Sequence, residues 1–420
     1  MISVFTPVHP SSAVHLPEAV KSMREQSRDD MEWVLLYNGG AEPIGTGFRE
    51  IVLPERHPAQ GSVGALKKYA CSEAKGDILV ELDADDILTQ DALEKIETTF
   101  SDPSIQFAYS NCAEFRSGTW EPRVFSEYWG WTDRPFEWDG KALREQVAFS
   151  PGPNSWRRIE WAPNHVRAWR RSAYDALGGH DEKLKVGDDH DLVCRTAVRY
   201  GFSSVKHIDE CLYLYRLHEN NTCYSKKGNR AVQDQTSVNY QVYYEPMAMR
   251  WARDNGLLCL DLGGGIDGRP GYVTVDQRGG QIEADLTKRW PFADSSVGVL
   301  RASHLLEHLP DPIHSMNEAW RVLAPGGVFF IEVPSTDGRG AFQDPTHVSF
   351  WNQNSFLYYT REAQARYIPA FKGAFQASRV ATLFPGRWWK ENDISVVRAE
   401  LICLKSGYRA PGEVLVQPKI

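Results

Sequence analysis

Short apolar runs alternate with amphipathic stretches through the first hundred residues of the chain. Strands are predicted where apolar residues dominate short runs, at residues 2–8, 32–37 and 78–82. Helices are predicted where apolar residues recur every three or four positions, at residues 16–23, 61–74 and 92–100. Strands that alternate with helices predict a parallel sheet covered on both faces.

A second series of the same kind follows residues 229–254, which have helix-forming composition with Pro246 as the single helix breaker. The strands predicted after it lie at residues 257–260, 272–275, 297–300 and 328–333, and a helix is predicted at residues 312–323. We therefore expect a domain over residues 1–228, a helical linker over 229–255 and a second domain over 256–420. The predicted fold class is α/β with two doubly wound domains.

The regular alternation fades between residues 110 and 170, and tryptophans concentrate there. Half of the chain's 14 tryptophans lie in this segment: Trp120, Trp129, Trp131, Trp138, Trp156, Trp161 and Trp169. We predict that the segment forms a wall or lid rather than sheet core, although tryptophans also fill cores.

Composition narrows the class of protein. The 420-residue chain is 42% hydrophobic and 24% charged, which is typical of globular proteins. Its formal net charge of -8 gives no general attraction to phosphate backbones, so we expect no nucleic-acid partner. Seven cysteines without a C-x-x-C pair predict reduced thiols.

The sequence also bears on location. We expect no signal peptide and no transmembrane segment, because no basic and apolar leader and no run of about eighteen apolar residues occurs. The prediction is a cytoplasmic protein. Peripheral contact with the inner membrane face and assembly into a homo-oligomer stay open.

An acidic run, Asp83-Ala84-Asp85-Asp86, follows directly on the apolar strand 78–82. Alternation aims Asp83 and Asp85 to the same side at the carboxyl end of the strand, where open α/β sheets bind ligands. Two carboxylates there suit Mg²⁺ or Mn²⁺, which would neutralise a diphosphate leaving group. The alternative is a solvated acidic turn that caps the following helix.

Other phrases accompany this run in a fixed order along the chain. They are Thr6-Pro7-Val8-His9, residues 61–74, residues 76–86, Gly178-Gly179-His180-Asp181-Glu182, Gly187-Asp188-Asp189-His190-Asp191-Leu192 and Arg195. Together they resemble the inverting, family 2-like nucleotide-sugar glycosyltransferases of the GT-A fold. The resemblance covers about residues 1–225 and implies a GT-A-like nucleotide-sugar domain.

By this resemblance, Asp83, Asp85 and His218 would hold Mn²⁺ or Mg²⁺. The residues expected at the nucleotide-sugar donor are Pro7, Val8, Asn38, Lys67, Asp83, Ala84 and Asp85. Asp189 matches the catalytic aspartate of the family, and Asp188, which stands where the family has a glutamate, is the second expected catalytic residue. Asn38 stands where the family usually has an aspartate on the nucleobase, which leaves the base unidentified. The alternative for Asp188 and Asp189 is an acidic helix N-terminus stabilised by its dipole.

A glycine loop opens the second domain. Gly263-Gly264-Gly265-Ile266-Asp267-Gly268 satisfies G-x-G-x-x-G, but Arg269-Pro270-Gly271 ends any helix at once, which disfavours a dinucleotide site. His304-x-x-Glu307-His308 matches the inverted zinc-protease signature, yet Pro310 leaves no room for the long helix that such a site needs.

The loop instead resembles that of class I S-adenosylmethionine-dependent methyltransferases with a shortened first helix. Five further phrases carry the resemblance: Gly271–Asp276, Ala284-Asp285-Leu286, residues 290–296, residues 304–310 and residues 321–327. It implies a Rossmann-like domain in which Gly263, Gly265, Asp276, Asp285 and His304 bind S-adenosylmethionine. His308 and His347 are candidate bases for methyl transfer.

The combined prediction is a bifunctional enzyme. It would transfer a sugar from a nucleotide-diphosphate donor to a glycan, glycolipid or glycoprotein acceptor and methylate a hydroxyl, with one or two of the tryptophans at the acceptor. One alternative keeps the glycosyltransferase and makes the second domain a non-catalytic binding or oligomerisation module. Another gives the first domain nucleotidyl transfer, because metal-binding carboxylate pairs also serve that chemistry.

Overall fold

The computed structural model describes residues 1–222 and 225–416, and the chain divides into two compact α/β units. The first comprises Met1–Glu127 and Trp131–Met247, and the second comprises Tyr128–Gly130 and the chain from Ala248 onward. The domain limits 1–228 and 256–420 stay a prediction. Among the described residues, no helix combines the length and the apolar character that crossing a membrane requires.

The first unit is built on one sheet. Its strands are β1 (Ile2–Val8), β2 (Met31–Tyr37), β3 (Arg49–Val52), β4 (Ile78–Glu81), β5 (Ile87–Leu88), β6 (Phe107–Arg116), β7 (Thr132–Trp138), β8 (Lys141–Val147), β9 (Arg167–Arg170) and β10 (Val205–Leu217). Its helices are α1 (Pro10–Ala13), α2 (Leu16–Arg24), α3 (Val63–Glu73), α4 (Ala92–Phe100), α5 (Pro153–Trp156), α6 (Arg171–Ala176) and α7 (Asp188–Tyr200). The three strands and three helices predicted before residue 101 are confirmed.

The strands of this sheet do not all run in one direction. The order is β3-β2-β1-β4-β9-β6-β10-β5, and the β7–β8 hairpin joins at β6. β1 pairs in parallel with β2 and β4, whereas β9 runs antiparallel between β4 and β6. The prediction of a parallel sheet is therefore wrong at β9, because apolar patterning reports burial and carries no information on strand direction.

The prediction of a tryptophan-rich wall or lid is wrong for two of the seven side chains. Trp156 on α5 and Trp169 on β9 are fully buried, and the Trp169 ring lies 4.9 Å from that of Phe107 on β6. These rings fill the core beside β9, as large aromatic side chains generally do.

A single long helix, α8 (Lys226–Asp254), covers the predicted linker and contains Pro246. The strands of the second unit are β11 (Leu258–Leu262), β12 (Val273–Asp276), β13 (Ile282–Glu283), β14 (Val297–Ser303), β15 (Leu323–Pro334), β16 (Phe375–Leu383) and β17 (Val396–Cys403). Its helices are α9 (Pro312–Val322), α10 (Gly340–Gln343), α11 (Leu357–Thr360), α12 (Glu362–Ala365) and α13 (Arg387–Glu391).

The second sheet has the order β13-β12-β11-β14-β15-β17-β16. β11, β12, β14 and β15 run in parallel, and β17 is antiparallel to both of its neighbours. The carboxyl ends of β11, β12 and β14 therefore lie at one edge, where the glycine loop and the 304–308 turn follow them.

Six free cysteines, Cys71, Cys112, Cys194, Cys211, Cys259 and Cys403, are buried. The remaining one, Cys223, lies outside the described residues.

Candidate active site

The acidic run after β4 places its three carboxylates in different surroundings. Asp86 is buried, and it accepts hydrogen bonds from the Tyr213 hydroxyl at 2.8 Å and the Arg216 amide at 2.7 Å. The Asp83 amide donates to the same Tyr213 oxygen at 3.1 Å. Asp86 thus ties the run to β10 and does not cap a helix.

Asp85 and His218 form a direct polar pair at this edge. The Asp85 Oδ2 atom lies 2.7 Å from His218 Nε2, and the two side chains are 15% and 9% exposed. Asp83 faces His165 instead, with 3.4 Å between Oδ2 and Nε2. The structure therefore brings two of the three predicted metal ligands into direct contact.

Glu81, the last residue of β4, is completely buried between two cations. Its Oε1 atom lies 2.5 Å from Lys67 Nζ, and its Oε2 atom accepts a hydrogen bond from Arg167 Nε at 2.9 Å. Burial raises the pKa of Glu81, but Arg167 and Lys67 outweigh that effect and hold the pKa well below its ordinary value. Glu81 is therefore a carboxylate at neutral pH.

The two acids at the start of α7 differ in exposure and in charge environment. Asp189 is 18% exposed, and its Oδ2 atom accepts a hydrogen bond from Arg167 Nη1 at 2.6 Å. Burial raises its pKa, but Arg167 and Lys67 lower it further, below the ordinary range. Asp188 is 3% exposed and lies 3.4 Å from Lys67, and burial raises its pKa to about 6.

Local backbone geometry brings α3 and α7 together around this network. Gly64, near the start of α3, packs so closely on the 181–184 loop that a Cβ there would lie 2.0 Å from the Asp181 carbonyl oxygen. Gly187 precedes α7 with a φ of +67°, a conformation that glycine adopts readily. These contacts set Lys67 beside Asp188.

The predicted donor-binding residues occupy two different environments. Pro7 and Val8 end β1, and the Asn38 side chain donates to the Val8 carbonyl at 2.9 Å, which joins the ends of β1 and β2. Ala84 is buried in the acidic run. Lys67 is buried on Glu81 and Asp188, so it balances carboxylates in the interior.

Sequence reasoning missed three members of the site: Glu81, His165 and Arg167. Glu81 carried a usable signal, because a charged residue inside a strand buried on both faces requires a partner. His165 and Arg167 lie in the segment where the pattern fades, and their contacts depend on β9 inserting beside β4. No spacing in the sequence points to that pairing.

In the second unit, the glycine loop turns back onto the neighbouring strand. The Gly263 amide donates to the Val275 carbonyl at 2.7 Å, and the Gly265 amide donates to Asp276 Oδ2 at 3.1 Å. Residues 263–272 form turns and bends, so the shortened first helix that the resemblance implied is absent from this stretch. Asp261 on β11 anchors the loop by accepting from the Arg269 amide at 3.0 Å.

The remaining predicted residues of the second unit surround the same sheet edge. Asp285 accepts hydrogen bonds from Thr287, which lower its pKa to about 2. His304 follows β14, and the carboxylates of Glu307 and Glu332, each 3.4 Å away, raise its pKa to about 9. The rings of His308 and His347 lie 5.0 Å apart.

Known family models match one segment in each half of the chain. Residues 3–164 match the model described as glycosyl transferase family 2, and residues 265–331 match the model described as a methyltransferase domain. Both resemblances inferred from the sequence are thereby confirmed at the level of the domain.

Individual relatives align with part of the chain. The O-antigen biosynthesis protein RfbC of Myxococcus xanthus is 25% identical over 223 residues, which is 51% of this chain and 16% of the relative. A protein named "Probable S-adenosylmethionine-dependent methyltransferase" from Mycolicibacterium smegmatis is 37% identical over 83 residues, 19% of this chain and 30% of the relative. The chain therefore spans less than a third of either relative.

Among solved structures, S. aureus TarS (residues 1–349, in complex with UDP) is 13% identical, with a TM-score of 0.40. The match covers 61% of this chain and 70% of the TarS chain.

Proposed function

Because the chain carries a glycosyl transferase family 2 domain and a methyltransferase domain, we propose that it is a bifunctional transferase of glycan or glycoconjugate synthesis. The first domain transfers a sugar from a nucleotide-diphosphate donor to an acceptor hydroxyl with inversion. The second methylates a hydroxyl of the same product. The similarity to a protein named for O-antigen biosynthesis supports a glycan acceptor.

The single observation that carries the first activity is the partly exposed carboxylate of Asp189 beside buried Arg167. In the proposed displacement, the acceptor hydroxyl oxygen bonds to the anomeric carbon of the donor sugar, and Asp189 takes the proton of that hydroxyl. The bond from that carbon to the diphosphate oxygen breaks, and its electron pair leaves with the diphosphate. One displacement inverts the carbon.

A low pKa does not disqualify Asp189 as the base. The attacking oxygen becomes strongly acidic as its new bond forms, so a carboxylate of modest basicity can accept the proton in the transition state. Arg167 keeps Asp189 ionised at neutral pH and fixes its orientation. Asp188 is buried, which supports a role in holding Lys67 rather than in touching the acceptor.

The donor set at the acidic run suits a divalent cation. The carboxylates of Asp83 and Asp85 and the imidazole of His218 would hold Mn²⁺ or Mg²⁺, since Mn²⁺ accepts both ligand types. When bound, the cation supplies positive charge that stabilises the departing diphosphate. The direct contact of Asp85 with His218 supports this assignment.

A donor-hydrolysis assay tests the first activity. Nucleotide sugars are screened with Mn²⁺ against nucleoside triphosphates, and we expect turnover of a nucleotide sugar that Asp85→Asn abolishes. Asp189→Asn is expected to bind the donor normally and to lose transfer by about 10²- to 10⁴-fold, the usual contribution of a general base. Asp77→Asn, an exposed acid just before β4, is the control. Hydrolysis of triphosphates alone would favour nucleotidyl transfer.

For the second activity, Gly263, Gly265 and Asp276 would bind S-adenosylmethionine, which supplies an activated methyl group. Asp276 lies at the end of β12, where its carboxylate can accept from a ribose diol while it also orders the Gly265 amide. Asp285 follows β13 and His304 follows β14, on either side of β12 and β11 in the sheet, and both would complete the cofactor site. Positioning of a hydroxyl beside the methyl group supplies most of the rate.

One observation favours a second candidate, a non-catalytic binding or oligomerisation module. With no helix between residues 263 and 272, fewer aligned amides face the cofactor's carboxylate. Calorimetry of the full chain with S-adenosylmethionine separates the candidates. Binding that Asp276→Ala weakens supports methylation, whereas no binding at millimolar cofactor by folded protein supports the module.

A further inference from the structure

Three side chains in the second unit form a cluster beside the predicted cofactor-binding residue His304. Glu307, His308 and His347 each offer one ligand atom, and these atoms all lie within 4.8 Å of one another. Glu307 and His308 belong to a short 3-10 turn after β14, and His347 comes from the loop after α10. Two imidazoles and a carboxylate are a common donor set for divalent transition metals.

The carboxylate of Glu307 is the first sign that a ligand is required. It is 2% exposed, and neither oxygen accepts a hydrogen bond within residues 1–222 and 225–416. Oε1 has only the ion pair with His304, whose Nδ1 lies 3.4 Å away. His304 offsets the charge, but in the described part of the chain both oxygens lack the hydrogen bonds that a buried carboxylate needs, and a bound cation would satisfy them.

The orientation of both imidazoles is the second sign. His308 Nδ1 lies 3.3 Å from the Thr346 carbonyl oxygen, and His347 Nδ1 lies 2.9 Å from the Ala341 carbonyl oxygen. The Thr346 hydroxyl oxygen also lies 3.2 Å from His308 Nδ1, but its proton goes to Asp344. Every partner of the two Nδ1 atoms is thus an acceptor, so each Nδ1 carries the proton and each Nε2 keeps its lone pair. Metal-binding histidines typically donate their second nitrogen to a backbone carbonyl in this way.

The loop that supplies His347 is fixed to the turn that supplies the other two ligands. The Glu307 carbonyl accepts from the Val348 amide at 2.8 Å and from the Ser349 amide at 3.0 Å. The Ser349 hydroxyl donates to the Leu306 carbonyl at 2.8 Å. The three ligands are thus held by backbone contacts, which preorganises a metal site.

We infer that Glu307, His308 and His347 bind a divalent transition-metal ion in the methyltransferase domain. Three protein ligands leave coordination positions for water or for an oxygen of the methyl acceptor. The site lies next to the glycine loop, since a Cβ at Gly263 would come within 2.9 Å of Leu305. The ligand set is not that of the zinc-protease signature, because His347 takes the place of His304.

Zinc binding to the full chain tests this inference. Calorimetry uses protein with Asp85→Asn, which weakens the cation site proposed for the first domain, and we expect a tight zinc site that depends on Glu307 and His347. Glu307→Gln and His347→Asn should each weaken zinc binding by more than about a hundred-fold, because even partners outside the coordination shell contribute about 10- to 100-fold. His314→Gln, a histidine on α9 outside the cluster, should bind zinc normally.

Circular dichroism and melting establish that each variant is folded, and His347→Asn tests the site if Glu307→Gln does not fold. Zinc affinity that both variants leave unchanged, or no stoichiometric zinc site in the parent, would overturn the inference. Metal binding by these three residues does not depend on the proposed methylation. Only the idea that a methyl acceptor occupies the remaining coordination positions rests on it. A chain that binds zinc through these ligands but methylates no hydroxyl would refute the methylation and keep the metal site.

Discussion

Replacement of Arg167 by glutamine tests the charge network that supports the proposed base. Arg167 donates to Glu81 at 2.9 Å and to Asp189 at 2.6 Å, and its side chain is 5% exposed. Glutamine keeps a polar side chain but removes the charge. The fully buried Glu81 would then have Lys67 as its remaining cation.

The expected loss of stability follows from the burial of these charges. Removal of one partner from a buried ion pair destabilises a protein by about 3–5 kcal/mol. For a unit of this size, about 2–4 °C of melting temperature corresponds to 1 kcal/mol, so the first unit should melt about 6–20 °C lower at pH 7.

The destabilisation caused by Arg167→Gln should become smaller as the pH falls. Glu81 and Asp189 have pKa values below their ordinary range, so their stabilisation is present above about pH 4.5 and is lost as the pH falls through the lowered values. The variant lacks much of this stabilisation at pH 7. The difference in melting temperature between wild type and variant should therefore narrow at pH 3.5.

Arg170→Gln is the matched control, because Arg170 lies on the same strand and donates to the backbone carbonyls of Phe100, Asp102 and Ile105. We expect it to destabilise by about 1–2 kcal/mol with no comparable narrowing at acid pH. Differential scanning calorimetry at the two pH values measures both variants. An Arg167→Gln protein that melts within about 2 °C of wild type at pH 7 would refute the reasoning.

Other positions give independent tests of both units. Burial and Lys67 lower the pKa of His180 to about 3, so His180 should contribute a loss of about 1.7 kcal/mol between pH 6.5 and 5 relative to His180→Gln, because at this position only the unfolded chain takes up the proton. His180→Gln should flatten this part of the melting profile, and an unchanged profile would contradict the assignment. Tyr213→Phe removes a hydroxyl bonded to Asp86 and should destabilise by about 2 kcal/mol in thermal melts, while an unaltered melt would mean that the bond adds nothing. Gly263→Ala should weaken S-adenosylmethionine binding in calorimetry, because its φ is +73° and its Cβ would strike a neighbouring leucine. Gly256→Ala should leave S-adenosylmethionine binding unchanged, because Gly256 has a similar φ of +65° but open space around it. Equal affinities of the two variants for S-adenosylmethionine would contradict the cofactor loop.

The sequence predicted the elements of both units where local patterning determines them. The strand over 78–82 and the helix over 92–100 were visible because burial imposes a period on the residues of one element. The antiparallel insertion of β9 was not visible, since four residues have no distinctive period and their direction depends on distant pairing partners.

The site was predictable to the extent that its residues are neighbours in the chain. Asp83, Asp85 and Asp86 could be located from one acidic run, but their division among His165, His218 and Tyr213 depends on β9 and β10. The role of Lys67 as a partner of Glu81 also depends on contacts between separate elements. Such contacts leave no spacing signal in a single sequence.

The burial of Asp86 changes how mutational scans of the acidic run should be interpreted. An alanine at this position would remove the hydrogen bonds that hold the acidic run to β10, and Asp83 and Asp85 would shift. Enzyme activity would then fall although Asp86 has no direct role in the chemistry. Loss of turnover would then be the same for a structural anchor and for a metal ligand one residue away. Only a comparison of unfolding with cation affinity can separate the two kinds of aspartate.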